Sequence, residues 1–262
     1  MTDKLSVVIA VVNNKGGVGK TTTSVNLAAC LTGPRRRVLL VDLDSQASAS
    51  LWCGIDRAHL RPSSATCLLQ DFPVQEAVRK TGVPHMDLIT GSVELACTDL
   101  VLADRPGREL ALKNLLQRVR TRYDFIVLDC PPNLSLVGVN AIVAADAIIV
   151  PVTPQYLSVE GLVSLLGSLE TVRVKLGTRG RFLGILLSMV DPARPVASEI
   201  RERLRAEYRD RVFQTEIHLS RALEGAPAAA KTIVQHAPRS RAAGAFRRLT
   251  GETLERLHST RH

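Results

Sequence analysis

The feature that most constrains this chain is a glycine-rich turn set between a strand-length apolar run and a helix-forming stretch. The run Leu5–Val12 leads into Asn13-Asn14-Lys15-Gly16-Gly17-Val18-Gly19-Lys20-Thr21-Thr22, and helical character continues to Leu31. Gly16, Gly17 and Gly19 free the backbone to turn several N–H groups inward, which makes a cradle for an anion. A helix starting near Lys20 aims its N-terminus at the same point. The phosphate-loop pattern is G-x-x-x-x-G-K-[ST]; Gly19-Lys20-Thr21 supplies its end, while Asn14 stands where the first glycine belongs. In such a loop the lysine reaches the β- and γ-phosphates of a nucleotide and the Thr21 hydroxyl ligates Mg²⁺.

A strand–loop–helix unit of this kind belongs in a doubly wound α/β fold, and the rest of the chain agrees. Apolar runs of strand length recur at Arg37–Asp42, Met86–Thr90, Phe125–Asp129, Ala147–Val152 and Leu183–Val190. Helical segments are predicted at Lys20–Leu31, Arg108–Arg120, Leu136–Ala144, Ser158–Val174 and Val196–Arg209. The alternation predicts a mainly parallel sheet with helices on both faces. Composition fits: hydrophobic residues are 45% and aromatics only 3%, so Val, Ile, Leu and Ala must build the core. The stretch Cys53–Pro84 is the least regular and reads as surface helices and loops. No linker or repeat divides the 262 residues, which read as a single domain over 1–262. No apolar run reaches membrane-span length, and Met1–Ser6 mixes acid and base, unlike a secretory signal. A cytoplasmic protein is the expectation.

Parallel sheets place ligand sites beyond the C-terminal ends of their strands, so acids at those ends matter. Asp42 and Asp44 close one apolar run; two residues apart on an extended chain, they would point the same way. Asp129 closes another, Phe125-Ile126-Val127-Leu128-Asp129, and an acid there accepts hydrogen bonds from Mg²⁺-bound water.

Lys15 has no role in the ordinary loop. The string KGGVGKTT resembles the deviant Walker A loop of the ParA/MinD family of ATPases, which implies ATP and Mg²⁺ as cofactors and slow hydrolysis. By that resemblance Lys15 reaches across a dimer interface to the partner's nucleotide, Lys20 serves its own, and Asp44 orients the attacking water. The segment DLDSQ is similar to the family's D-x-D-P-Q, with Ser45 for proline. LDCPP with Asn133-Leu134, then Asn140-Ala141, Glu160-Gly161-Leu162, LLSMVD (Leu186–Asp191), Glu224-Gly225-Ala226-Pro227 and Ala237-Pro238-Arg239-Ser240-Arg241 continue the likeness. They favour the chromosomal, Soj-like ParA branch. The likeness breaks at Ile217-His218-Leu219-Ser220, where relatives often have Ile-Pro-Arg-Asn near the base, so base recognition is not carried over.

Charge bears on the partner. Of the net +9, +6 falls between Arg194 and His262, with 14 basic against 8 acidic residues. A basic end of this kind calls for a polyanion. The ParA likeness implies non-specific double-stranded DNA, an ATP-dependent homodimer and a ParB-type centromere-binding partner, with the protein on the nucleoid. Arg239, Arg241, Arg247 and Arg248 are the candidate phosphate contacts, with Arg201, Arg203 and Arg205 in reserve. The chain opens almost directly on the first strand, so the N-terminal operator-binding extension of larger relatives is not expected.

Two other classes stay in view. A MinD-like membrane-surface ATPase would use the basic amphipathic stretch Gly244–Leu257 as an interfacial anchor; Glu252, Glu255 and Thr250-Gly251 interrupt it and favour a core-packing helix. An iron–sulfur relative would need two thiolates, for which Cys97 and Cys130 are the candidates. The five cysteines form no C-x-x-C pair.

Overall fold

The computed structural model describes residues 5–259; the start of the non-secretory N-terminal reading, Met1–Lys4, lies outside them. Eight strands form one sheet: β1 Val7–Val11, β2 Val38–Asp42, β3 Arg79–Lys80, β4 Met86–Ile89, β5 Phe125–Asp129, β6 Ala147–Val152, β7 Arg181–Val190 and β8 Ile217–His218. Their order is β3-β4-β2-β5-β1-β6-β7-β8. Every pairing is parallel except β3 with β4.

The strands are apolar on both sides because both sides are covered. Val8 and Ala10 of β1 join a core with Leu39, Val41, Ile126 and Leu128, roofed by the helices Leu136–Ala144 and Tyr156–Leu176. Ile9 and Val11 point the other way, onto Val38, Leu40 and Val127, roofed by the helices Lys20–Leu31 and Arg241–His258. The period of two along each strand therefore feeds two cores at once. All five residues of β2 are fully buried.

The six expected strands are present. The two that the sequence did not reveal, β3 and β8, are two-residue edges too short to carry a pattern. The expected helix Arg108–Arg120 is shorter, Ala111–Gln117, entered by a tight turn at Arg108–Leu110. Asn140 enforces that turn: its amide donates to the Arg108 carbonyl at 2.8 Å, and its oxygen accepts from Leu112 N at 2.9 Å. The basic stretch near the end forms the helix Arg241–His258, with Phe246 and Leu249 wholly buried. Its apolar face is therefore spent on the core, as expected for a packing helix. Among the described residues no helix is long and apolar enough to cross a membrane.

Candidate nucleotide-binding and switch site

The glycine loop leaves the sheet at its centre, between β1 and the helix Lys20–Leu31. Gly17 (φ +72°) and Gly19 (φ +83°) hold the left-handed conformation that other residues resist. Asn13 sets the exit. Its amide donates to the Pro151 carbonyl at 2.7 Å, and its oxygen accepts from Lys15 N at 2.9 Å. Pro151 lies just beyond the last β1–β6 pair, Val11 with Ile149, where it costs the sheet no hydrogen bond to β1. A proline in an otherwise apolar strand was the available signal for this gap.

The two lysines of the loop differ sharply. Lys20 is buried and its Nζ donates to the Lys15 carbonyl at 2.9 Å, spanning the loop. Burial pushes its pKa down, against the opposing charges of Asp129 and Asp44. Lys15 is half-buried and its Nζ donates to Ser158 Oγ at 3.2 Å on the helix Tyr156–Leu176 of its own chain. Ser158 in turn shares a 3.0 Å hydrogen bond with Thr153.

Asp129 and Asp42 end neighbouring strands in register. Both are fully buried, and burial raises both pKa values, helped at Asp129 by repulsion from Asp42 and at Asp42 by repulsion from Asp44. Asp42 is satisfied: Ser50 N and Oγ donate to its Oδ2 at 2.8 and 2.6 Å, and Asp44 N donates to its Oδ1 at 3.1 Å. Asp129 is not. Ser24 Oγ donates to Oδ1 at 2.9 Å, but Oδ2 is buried without a hydrogen-bond partner. A carboxylate oxygen so placed, with the Thr21 hydroxyl beside the same carboxyl, suits Mg²⁺ held largely through its own water.

Asp44 does not stand beside Asp42 on an extended strand. β2 ends at Asp42, Leu43 turns into the core, and a turn closes with Ala47 N donating to the Asp44 carbonyl at 2.9 Å. This leaves Asp44 half-buried at the mouth, its Oδ1 accepting from Gln46 N at 3.0 Å. Gly91, after β4, is a further determinant that the sequence reading missed. A Cβ there would lie 2.6 Å from the Asp44 carbonyl and 2.8 Å from Asp42 Oδ1.

An apolar cavity of about 240 Å³ opens beside Gly19 and Thr22, walled by Trp52, His218, Leu219 and Ser220. Trp52, the single tryptophan, is anchored by its Nε1 donating to the Lys231 carbonyl at 2.8 Å. The candidate arginines lie apart from this mouth and are unequal. Arg239, Arg241, Arg247 and Arg248 are exposed, as is Arg203, and Arg247 donates to the Pro238 carbonyl. Arg201 and Arg205 are committed to Glu216, at 3.5 and 2.7 Å. Cys97 is exposed, whereas Cys130 is buried with its thiol pushed far up by burial and by Asp129, an environment hostile to a thiolate ligand.

A parallel sheet whose central strand β1 feeds a glycine loop, with acids ending β5 beside it and β2 next along, defines a P-loop NTPase. The family described as AAA domain matches residues 6–179. The chain is 41% identical over 254 residues to the chromosome-partitioning ATPase Soj of Thermus thermophilus, spanning 95% of this chain and 96% of the relative. It is 38% identical over 245 residues to the sporulation initiation inhibitor protein Soj of Bacillus subtilis, spanning 94% and 97%. Cobyrinic acid a,c-diamide synthase from Mycobacterium smegmatis, solved with an ATP analog and magnesium, is similar at TM-score 0.85 and 30% identity over 98% of each chain. The cell division ATPase MinD of Pyrococcus furiosus shares the fold at TM-score 0.76 and 24% identity, covering 97% of this chain and 100% of that one. This chain belongs to the ParA/MinD family of deviant Walker A ATPases, on its Soj/ParA side.

Proposed function

We propose that the chain acts as one ATPase unit that segregates DNA: bound MgATP brings two copies together, the dimer holds duplex DNA without sequence preference, and hydrolysis releases it. The loop amides of Gly16–Thr22 cradle the phosphates, Lys20 neutralises the β- and γ-oxygens, and Thr21 with Asp129 holds Mg²⁺, the latter through water. Mg²⁺ supplies charge neutralisation on the transferred phosphoryl group. Asp44 orients the attacking water. Lys15 leaves Ser158 and reaches the nucleotide of the second copy. Arg239, Arg241, Arg247 and Arg248 contact DNA phosphates, placing the protein on the nucleoid. A ParB-type partner bound to a centromere stimulates hydrolysis.

The observation that carries this reading is the pair of lysines on one glycine loop, one buried across it and the other at its mouth. Two relatives with partition or sporulation names, matched almost end to end, support the choice of DNA as cargo. The membrane reading loses its anchor because the helix Arg241–His258 buries its apolar face. The test is duplex-DNA binding with ATP by wild type, Lys20→Ala and Asp44→Ala. Binding is lost in the first variant and persists in the second, whose hydrolysis is blocked. Equal DNA affinity of the wild type with and without ATP would sink the switch.

A further inference from the structure

The helix that follows the glycine loop carries four hydroxyl residues in a row, Thr21, Thr22, Thr23 and Ser24. Successive helical residues turn by about 100°, so the four cannot share one task. Thr22 and Thr23 line the cavity beside Trp52. Thr21 and Ser24, three positions apart, share another face and both meet the Asp129 carboxyl at the end of β5. Ser24 is wholly buried, and Val25, Leu27 and Ala28 after it are buried too. Alanine would suit the interior of this helix better, because a serine hydroxyl competes for backbone bonds and is costly when buried without a partner. This hydroxyl has partners. Ser24 Oγ lies 3.0 Å from the Lys20 carbonyl one turn back, and it donates to Asp129 Oδ1 at 2.9 Å. The Lys20 carbonyl holds the side chain in place, which makes Oγ a fixed point on the helix from which Asp129 is reached.

A tether of this kind matters because a carboxylate does not fix its own plane. The terminal torsion of an aspartate is broad and two-fold, so a carboxyl at a strand end takes its orientation from its hydrogen bonds. The two neighbouring acids are bound very differently. Asp42 is held at both oxygens, by Ser50 at Oδ2 and by Asp44 N at Oδ1, and Ser50 Oγ is itself held by Gly91 N at 3.0 Å. Neither oxygen can turn toward a cation without breaking a bond. Asp129 is held at Oδ1, and that bond comes from one helical turn beyond Lys20. Tethering Oδ1 settles where Oδ2 must lie, and there it is buried without a hydrogen-bond partner. Ser50 and Ser24 thus divide the paired acids: one carboxyl is closed, and the other is kept half open.

We infer that Ser24 is a positioning residue for Mg²⁺: its hydroxyl holds Asp129 Oδ1 and so aims Oδ2 at the water around the cation. The inference rests on the reading in which Asp129 holds Mg²⁺ through water, and goes further by assigning what aims that carboxylate. Ser24 touches neither nucleotide nor cation in this role and acts through Asp129. Outer partners that orient the ligands of a metal ion commonly govern its affinity by about 10–100-fold. The effect is confined to the cation, because the glycine-loop amides and Lys20 Nζ, which spans the loop to the Lys15 carbonyl, meet phosphate without the Ser24 side chain.

The test is nucleotide binding, read without turnover. A fluorescent, non-hydrolysable ATP analogue is titrated into the full chain in EDTA and again in saturating Mg²⁺. The ratio of the two dissociation constants measures how far cation and nucleotide strengthen each other on the protein. Thermal melts confirm that each variant is folded. Ser24→Ala is expected to bind the analogue in EDTA within about twofold of wild type and to lower the ratio by about tenfold. Ser24→Thr, which returns a hydroxyl to the same place, recovers most of it. A wild-type ratio in Ser24→Ala overturns the inference. So does an equal loss of affinity with and without Mg²⁺, which would make Ser24 a support for the loop. A Ser24→Thr variant that melts like wild type yet binds like Ser24→Ala also overturns it, since the hydroxyl would then count for nothing. Asp129→Asn separates this failure from failure of the cation site. If Asp129→Asn lowers the ratio and Ser24→Ala does not, the cation stays at Asp129 and only the tether falls. If neither lowers it, or if the wild type itself gains nothing from Mg²⁺, the tether and the assignment of Mg²⁺ to Asp129 fall together.

Discussion

The two ends of the sheet treat their carboxylates in opposite ways. At the N-terminal ends of the strands every acid is answered. Asp87 of β4 accepts from Arg37 at 3.0 Å, Lys80 at 2.9 Å and the Tyr123 hydroxyl at 2.9 Å. Asp146, just before β6, accepts from Val8 N and Arg120, and Asp124, just before β5, accepts from Arg37 N. At the C-terminal ends Asp42 and Asp129 stand side by side, buried and mutually repelling, with Asp129 Oδ2 unanswered. One end of the sheet is stapled, and the other is left under electrostatic strain that a bound cation relieves. Local conflict concentrated at one end of an otherwise consistent fold is the physical mark of a site.

The sharpest way to break that contrast is Asp129→Asn. It removes the charge that burial and Asp42 disfavour, so the nucleotide-free protein gains about 1–2 kcal/mol and melts roughly 2–4 °C higher. Mg²⁺-dependent hydrolysis falls by about 10²–10³-fold, the scale for losing one pre-set electrostatic group. Steady-state ATPase assays beside thermal melts read both. A variant that loses activity and stability together would show that Asp129 is merely a structural acid.

Gly91→Ala probes the same end through its backbone. The added methyl must displace the Asp44 carbonyl or the Asp42 carboxylate, and backbone displacement in a packed site costs about 1–3 kcal/mol. Moving Asp44 by part of an ångström lowers turnover by about tenfold or more. Nucleotide affinity, measured by titration, changes far less, because the glycine loop is untouched. Equal losses in affinity and turnover would mean that Gly91 supports the whole site and not Asp44 in particular.

The contrast also explains what could be read from the residues alone. The placement of the glycine loop with Lys15 and Lys20 was legible because strand, loop and helix are contiguous there, and that of Asp129 because it closes its own apolar strand run. The same holds for the six longer strands, whose apolar runs declare burial on both faces. Gly91 and Asn13 were not legible: each acts on an element distant in sequence, and only the sheet order brings them together. The Asp42–Asp44 spacing misled because a strand rule was carried two residues past the strand, which ends at Asp42. The stapled end was equally hidden, since Arg37, Lys80 and Tyr123 meet Asp87 from three separate segments.

Asp87→Asn tests the stapled end, with the smallest effect and a distinctive pH signature. Burial alone would raise the Asp87 pKa, but Lys80, Tyr123 and Arg37 override it and hold the carboxyl below its ordinary value. A carboxyl depressed by folding stabilises the protein fully above its unfolded pKa, and that contribution fades as pH falls through the folded value. Arg37 and Lys80 keep much of their side chains in solvent, so neither is stranded as a buried charge when the acid is removed. The loss at neutral pH is therefore about 1–2 kcal/mol, below that of breaking a fully buried pair. Denaturant melts should show wild type and variant separated at pH 7 and converging below about pH 4, as the wild-type carboxyl protonates. A gap that persists unchanged well below that pH, through the range in which the folded carboxyl protonates, would mean that Asp87 contributes by packing and hydrogen bonding, with its charge playing no part.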